Sequence, residues 1–209
     1  MGKPQWGRAE ELLAKLQAAR EEGMTITCDQ YPYTATSTSM TALLPHWAHD
    51  GGVPALLQRL KEPTQRLKEE TGVEMENRGG PASILVSGTH GYHPEWEGKT
   101  VEQLSQEFQM DPVDTVIRVL EQCGSSVACI YFCINEEDML RIMSDMDICV
   151  GSDGYNFSYD RSITRTDPHP RSFGTFPRFL RLVREHKLMP LEDAVHKLSL
   201  IHISEPTRH

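Results

Sequence analysis

Several things are scarce in this sequence, and each scarcity excludes something. No apolar run approaches the ~20 residues that a membrane-spanning helix needs. The opening stretch, Met1 to Gly7, is polar and has no apolar core of the kind a secretion signal carries. Basic residues are outnumbered: 21 Lys and Arg against 30 Asp and Glu leave a formal net charge of -9. That is the wrong sign for a surface that grips phosphates, so nucleic acid is not an expected partner; with no spanning run, neither is a membrane. The five cysteines form no Cys-x-x-Cys pair. Cys28, Cys129, Cys133 and Cys149 lie in or beside apolar, strand-like runs and Cys123 follows a helical one, so they read as small buried hydrophobes of a reducing cytoplasm. Repeats and low-complexity tracts are absent.

What remains is an ordinary globular composition, 38% hydrophobic and 24% charged over 209 residues, long enough for one sizeable core. Ala9 to Glu22 places Leu12, Leu13, Leu16 and Ala19 at helical spacing, and Gly23 stops the run. Met24 to Cys28 then reads as a short strand entering Asp29-Gln30-Tyr31-Pro32-Tyr33. Helices are expected over Val53 to Leu60, Thr64 to Thr71, Thr100 to Asp111 and Pro112 to Glu121, with Thr100 and Gln103 forming a capping box. Ile84 to Val86 is a short strand among them. A strand at Ser126 to Cys133, a helix at Asn135 to Ser144 with Asn135 as its cap, and a strand at Asp147 to Val150 follow. Phe176 to His186 and Leu191 to Lys197 close the chain as helices. Three strands alternating with helices predict a parallel α/β arrangement, with ligands at the strands' C-terminal ends.

The residues with chemistry gather at those ends. The apolar run Asp147 to Val150 leads straight into Gly151-Ser152-Asp153-Gly154, and a long polar loop then ends in His169-Pro170-Arg171. A carboxylate between small residues at a strand end is what a general acid or base needs; the same pattern also serves a loop-capping Asp. Arg171 offers a planar fork for a carboxylate, or a plain surface charge after a proline turn. Tyr33 can donate its phenol to a carbonyl or oxyanion, with Ser39 close enough in sequence to help, whereas Tyr31 serves equally well as packing. His46 with His49, and His90 with His93, are spaced i, i+3, yet two histidines without a third ligand do not make a zinc site.

The pieces "GKPQWG", "AREEGMTITCDQYPYTATST", "TALLPHWAHDGG", "VGSDG" and "HPRSFGTFPRFL", in this order, resemble the C-terminal part of the N-acyl-D-amino-acid deacylases (D-aminoacylases) of the amidohydrolase superfamily, across most of residues 2–197. The resemblance implies a partial (β/α)8 metal-dependent barrel with a mainly helical insertion. Residues 1–36 and 125–197 would be barrel segments and 37–124 the insertion. It implies hydrolysis of a small N-acyl-D-amino acid to a D-amino acid and a carboxylate, with zinc as cofactor. Asp153 would be the general base and acid and touch the metal, and Arg171 would bind substrate; beside them Tyr33 is expected to be catalytic and Ser39 to bind substrate on the chemistry of their hydroxyls. The family's zinc-binding histidines, its metal-binding cysteine and its His-x-His pair belong before Gly2, so most zinc ligands are expected to be missing and the chain to be inactive alone. The alternatives are a relative acting on N-acyl-D-glutamate, N-acyl-D-aspartate or a cyclic amide, or a non-catalytic binding module. Leu198 to Arg208 ("LSLIHISEPTR") is similar to a translated sequencing-library adaptor. Residues 198–209 are therefore expected to be an artefactual tail that does not continue the helix before it.

Overall fold

A computed structural model describes residues 2–156, 158, 160 and 169–203. In chain order the elements are α1 (Ala9–Glu21), β1 (Cys28–Gln30), β2 (Thr36–Ser39), α2 (Gly52–Lys61), α3 (Gln65–Asn77), β3 (Ile84–Gly88), α4 (Val101–Phe108), α5 (Pro112–Gln122), β4 (Ala128–Tyr131), α6 (Glu136–Met143), β5 (Ile148–Val150), α7 (Arg171–His186) and α8 (Leu191–Ile203). The chain divides into two compact units. One comprises residues 1–4, 35–133 and 158–168, the other 5–34, 134–157 and 169–209.

The first unit is an antiparallel sheet with helices. β4 lies between β2 and β3 and runs antiparallel to both. α5 carries its apolar face, Val116, Ile117, Val119 and Leu120, into the interior and packs against α2, α3 and α4. Its start is fixed by Asp111, whose carboxylate accepts the Val113 amide at 2.8 Å, with Pro112 at the first helical position. The capping box expected at Thr100 and Gln103 is present, both of its bonds made. The strand expected at Ser126 to Cys133 is found here, shortened to β4. Its burial alternates, and its partners are antiparallel, so it does not take part in the parallel arrangement expected of it. Alternation shows which face of a strand is buried; it carries no information about the direction of the neighbours.

The second unit holds the parallel pair. β1 and β5 run side by side in the register Cys28 to Ile148, Asp29 to Cys149 and Gln30 to Val150. The first strand was expected at Met24 to Cys28, but β5 is only three residues long, and pairing is confined to the residues opposite it. β5 is buried at all three positions, which explains its run of apolar side chains. Val150 joins Met139 and Met143 of α6, Phe179, Leu182 and Val183 of α7, and Ala194 of α8 in one core cluster. Ile148 joins Ala9 and Leu13 of α1 and Ile142 of α6 in another. Each of these large side chains contributes about 1.5–3 kcal/mol by leaving water. α1 has no cap from its own N-cap residue; Asp138 of α6 supplies it, accepting the Gly7 amide at 2.7 Å and the Ala9 amide at 3.1 Å.

Two helix boundaries differ from expectation. α7 begins at Arg171, five residues before Phe176, and runs through Pro177. α8 continues past Lys197 to Ile203, so the helix does not stop where the tail was expected to begin. Residues 204–209 of the expected tail lie outside the described residues.

Candidate active site at the ends of the parallel strands

Parallel pairing sends β1 and β5 out of the sheet at the same end. The segments that follow them, Tyr31-Pro32-Tyr33 and Gly151-Ser152-Asp153-Gly154, therefore emerge together. Gly151 continues the pairing, its amide donating to Gln30 O at 3.2 Å. A Cβ at this position would stand 2.9 Å from Cγ of Asp29, so the close approach of the two strands requires glycine. Asp153 has φ 47°, in the left-handed region that Asp tolerates better than most residues. The Tyr33 amide donates to Tyr31 O at 3.0 Å, closing a tight turn around Pro32.

α7 supplies the other wall. Arg171, its first residue, is only 5% exposed, whereas the Asp153 side chain is 65% exposed; Nη2 of Arg171 lies 2.9 Å from Oδ2 of Asp153. A cation buried at the positive end of a helix is doubly unfavourable, and the carboxylate answers both the burial and the dipole. The Arg171 guanidinium also lies over the Tyr31 ring at 5.0 Å. His169, likewise buried, accepts the Arg171 amide on Nδ1 at 3.1 Å and meets the Tyr33 ring edge-on at 5.0 Å.

Tyr33 is held by the same helix. Burial raises its pKa above the ordinary tyrosine value, with the nearby Arg178 charge and then the Thr175 hydroxyl pulling the other way. Thr175 in turn donates to Arg171 O at 2.9 Å. Asp153, Arg171 and Tyr33 are thus brought into one cluster. Ser39 is not. It ends β2 in the first unit, where its hydroxyl accepts the Thr41 amide at 3.2 Å and pairs with the Thr41 hydroxyl at 2.8 Å. His46 and His49 line a cavity of about 750 Å³ in the first unit together with Glu70, Glu74 and Arg78. His93 stacks on Trp96 at 3.7 Å between ring centroids and pairs with Glu95.

His169, Gly174, Thr175 and Arg178 were missed in the sequence. Arg171, Gly174, Thr175 and Arg178 fall at i, i+3, i+4 and i+7, one face of a helix. That pattern was hidden by starting the helix at Phe176. Among the described residues, no three His, Cys, Asp or Glu come together as metal ligands would.

The chain is 29% identical over 95% of its length to an N-acyl-D-aspartate deacylase, 28% over 94% to an N-acyl-D-glutamate deacylase, and 29% over 95% to a D-aminoacylase, all from Alcaligenes xylosoxydans xylosoxydans. Its relatives are the N-acyl-D-amino-acid deacylases. Solved structures agree. The N-acyl-D-glutamate deacylase of Bordetella bronchiseptica, complexed with zinc and a phosphonate that mimics the tetrahedral intermediate, superimposes with a TM-score of 0.64 at 26% identity, covering 97% of this chain and 33% of that one. The crystal structure of a D-aminoacylase, described as defining a novel subset of amidohydrolases, matches with a TM-score of 0.63 at 27% identity, covering 95% of this chain and 32% of that one. The chain spans 30–32% of the length of the curated relatives. No family model matches it.

Proposed function

We propose that this chain carries the carboxylate-recognising and proton-transferring part of a hydrolase that cleaves N-acyl-D-amino acids to a D-amino acid and a carboxylate. The observation that carries the reading is the Asp153–Arg171 pair, 2.9 Å apart where the parallel strands end. Arg171 is a buried guanidinium at a helix N-terminus, already holding one carboxylate. A substrate α-carboxylate arriving there gains the same fork and the same dipole. As it takes Asp153's place, Asp153 is released as a base. It accepts a proton from the attacking water while the water oxygen bonds to the amide carbon. The C–N bond then breaks, and the same proton passes to the departing nitrogen. Tyr33 donates to the carbonyl oxygen as negative charge gathers on it.

Zinc is present in the structure of the Bordetella relative. The described residues of this chain do not by themselves fit a zinc site, and Asp153 is the one that the resemblance assigns to a metal. Its companions would come from outside the described residues. In this reading β1 and β5 are strands of a (β/α)8 barrel, residues 37–124 are an insertion whose sheet β4 completes, and residues 198–209 are adventitious. The working compartment is the cytoplasm, in keeping with five unpaired cysteines. Ser39 as a substrate contact is a separate proposal: in Ser39→Ala a lost contact raises KM, whereas a lost cap lowers only Tm.

The test is a chimera in which this chain replaces the matched third of D-aminoacylase. Zinc content is measured together with turnover of N-acetyl-D-methionine, N-acetyl-D-glutamate and N-acetyl-D-aspartate. Deacylation of at least one supports the reading and names the side chain preferred. A folded, zinc-loaded chimera that turns over none of them overturns it.

A further inference from the structure

We infer that Arg178 is a positioning residue: it holds the Tyr31-Pro32-Tyr33 turn so that the Tyr33 hydroxyl is presented at the strand ends. The role in catalysis rests on the proposed reading of Tyr33 as a substrate contact; the holding itself does not.

The turn has a structural need. Its internal bond, from the Tyr33 amide to Tyr31 O, leaves the Pro32 carbonyl without a place in the turn. Arg178, two turns into α7, answers that carbonyl from the side: its Nε donates to Pro32 O at 2.5 Å. The same guanidinium lies over the face of Tyr33, 4.8 Å from the ring centroid. One planar group therefore fixes both the backbone of the turn and the plane of the catalytic ring. A lysine can make the first contact, but it has no flat face for the second. The far end of the ring is fixed independently. A Cβ on Gly174 would stand 3.0 Å from the Tyr33 hydroxyl, so glycine lets the phenol lie against α7. Arg171, Gly174, Thr175 and Arg178 thus form a single stripe along α7. Its first member meets the carboxylate, and the others set the phenol. Arg178 touches no reacting atom and acts through Tyr33 alone.

Two measurements test this. In the 209-residue chain labelled with 3-fluorotyrosine, the Tyr33 signal is the one lost in Tyr33→Phe. Its titration is then followed by fluorine NMR. Arg178→Gln removes a positive charge from beside the ring, so the Tyr33 midpoint moves upward; an unmoved midpoint overturns the holding role. In the chimera, Arg178→Gln lowers kcat by roughly ten- to a hundred-fold, the scale of a misplaced catalytic group. KM changes little, because Arg171 still takes the carboxylate. Arg178→Lys recovers part of the loss. If Arg178 acts through Tyr33, Arg178→Gln costs less than about twofold further in a Tyr33→Phe background. An equal loss in both backgrounds, or a loss in KM alone, overturns the inference. Full activity of Tyr33→Phe instead sinks the assignment of Tyr33, while the titration still decides whether Arg178 holds that side chain. Should Arg178→Gln fail to fold, as judged by circular dichroism, the Arg178→Lys kinetics carry the decision: a partial loss of kcat that vanishes in the Tyr33→Phe background supports the inference, and an unchanged kcat overturns it.

Discussion

The two units bury different kinds of polar group. In the first, the buried polar side chains among the described residues are hydroxyls: Thr71, Thr89, Ser105 and Thr115. In the second they are Asp138, His169, Arg171, Thr175 and Lys197. Burying a hydroxyl costs little; burying a charge is tolerated only when it is paired or bonded. The first unit keeps its charges at the surface, in pairs such as Arg66–Glu70 and Lys99–Glu107. Burial pushes its thiols far from reactivity, Cys123 up to about 11 and Cys129 to about 12. The second unit gives each buried ion a specific task. Arg171 meets Asp153, Asp138 caps α1, and Lys197 donates to Met143 O and Asp145 O, where α6 ends.

The comparison is broken most forcefully at Asp153. In the chimera, Asp153→Asn keeps the shape and loses the base, so kcat falls by roughly two to four orders of magnitude. KM falls as well, because the neutral amide competes less well with substrate for Arg171. Arg171→Lys does the converse, chiefly raising KM. Steady-state kinetics on both variants checks the pair. A normal kcat in Asp153→Asn would leave the second unit's exposed carboxylate with a purely structural role.

Asp138 comes next, with stability as the readout. Asp138→Ala leaves the Gly7 and Ala9 amides without their acceptor, and urea unfolding should show a loss of about 1–3 kcal/mol. Asp138→Asn retains an acceptor and should lose less.

These two sites were unequally legible. Asp153 and Arg171 stand in short local patterns, a strand end and a Pro-Arg step, and so could be named from the sequence. So could the capping box at Thr100 and the cap at Asn135, because a cap and its helix are contiguous. Asp138 could not. It caps a helix that begins 129 residues earlier in the chain, and no local pattern announces such a partner. The start of α7 was lost for a different reason. Proline removes a donor and crowds the preceding turn, so Pro177 argued for a helix that begins beside it. The packing of Phe179, Leu182 and Val183 on β5 outweighs that penalty and carries the helix back to Arg171. The direction of β4 was hidden because strand pairing is a non-local property.

Lys197 sharpens the comparison through pH. Burial lowers its pKa from the ordinary lysine value of 10.5 to about 8. Below about 8 both folded and unfolded chains carry the proton, and the folded chain bears the cost of burying it. Between about 8 and 10.5 the folded chain sheds the proton and the unfolded chain keeps it, so this group's contribution makes stability rise with pH. Lys197→Met removes that rise. The check is the difference in urea midpoint between the two proteins from pH 7 to 10, which cancels the opposing titration of the buried thiols. A constant difference across that range would mean that the amine keeps its proton in the folded state.

The smallest effect belongs to the first unit and probes whether its hydroxyls are as idle as the comparison makes them. Thr115 lies fully buried on α5, and its Oγ1 has no hydrogen-bond partner. A threonine in a helix can satisfy its hydroxyl on the carbonyl a turn earlier; here it does not, so the hydroxyl is held away from water with nothing in exchange. Thr115→Val replaces it with a methyl group of similar size, in a helix whose neighbouring Val116 and Ile117 are already β-branched. Helix propensity is nearly unchanged by the swap. What changes is the desolvated hydroxyl, and its removal should raise unfolding free energy by up to about 1 kcal/mol. Val119→Thr, the reverse change one turn along the same buried face, should lower it by a similar amount or more, since it buries a hydroxyl where none was. Urea unfolding of the two variants beside the parent decides. If Thr115→Val loses stability, the hydroxyl has a partner in solution, and the first unit shares more of the second's buried polar character than the contrast between them allows.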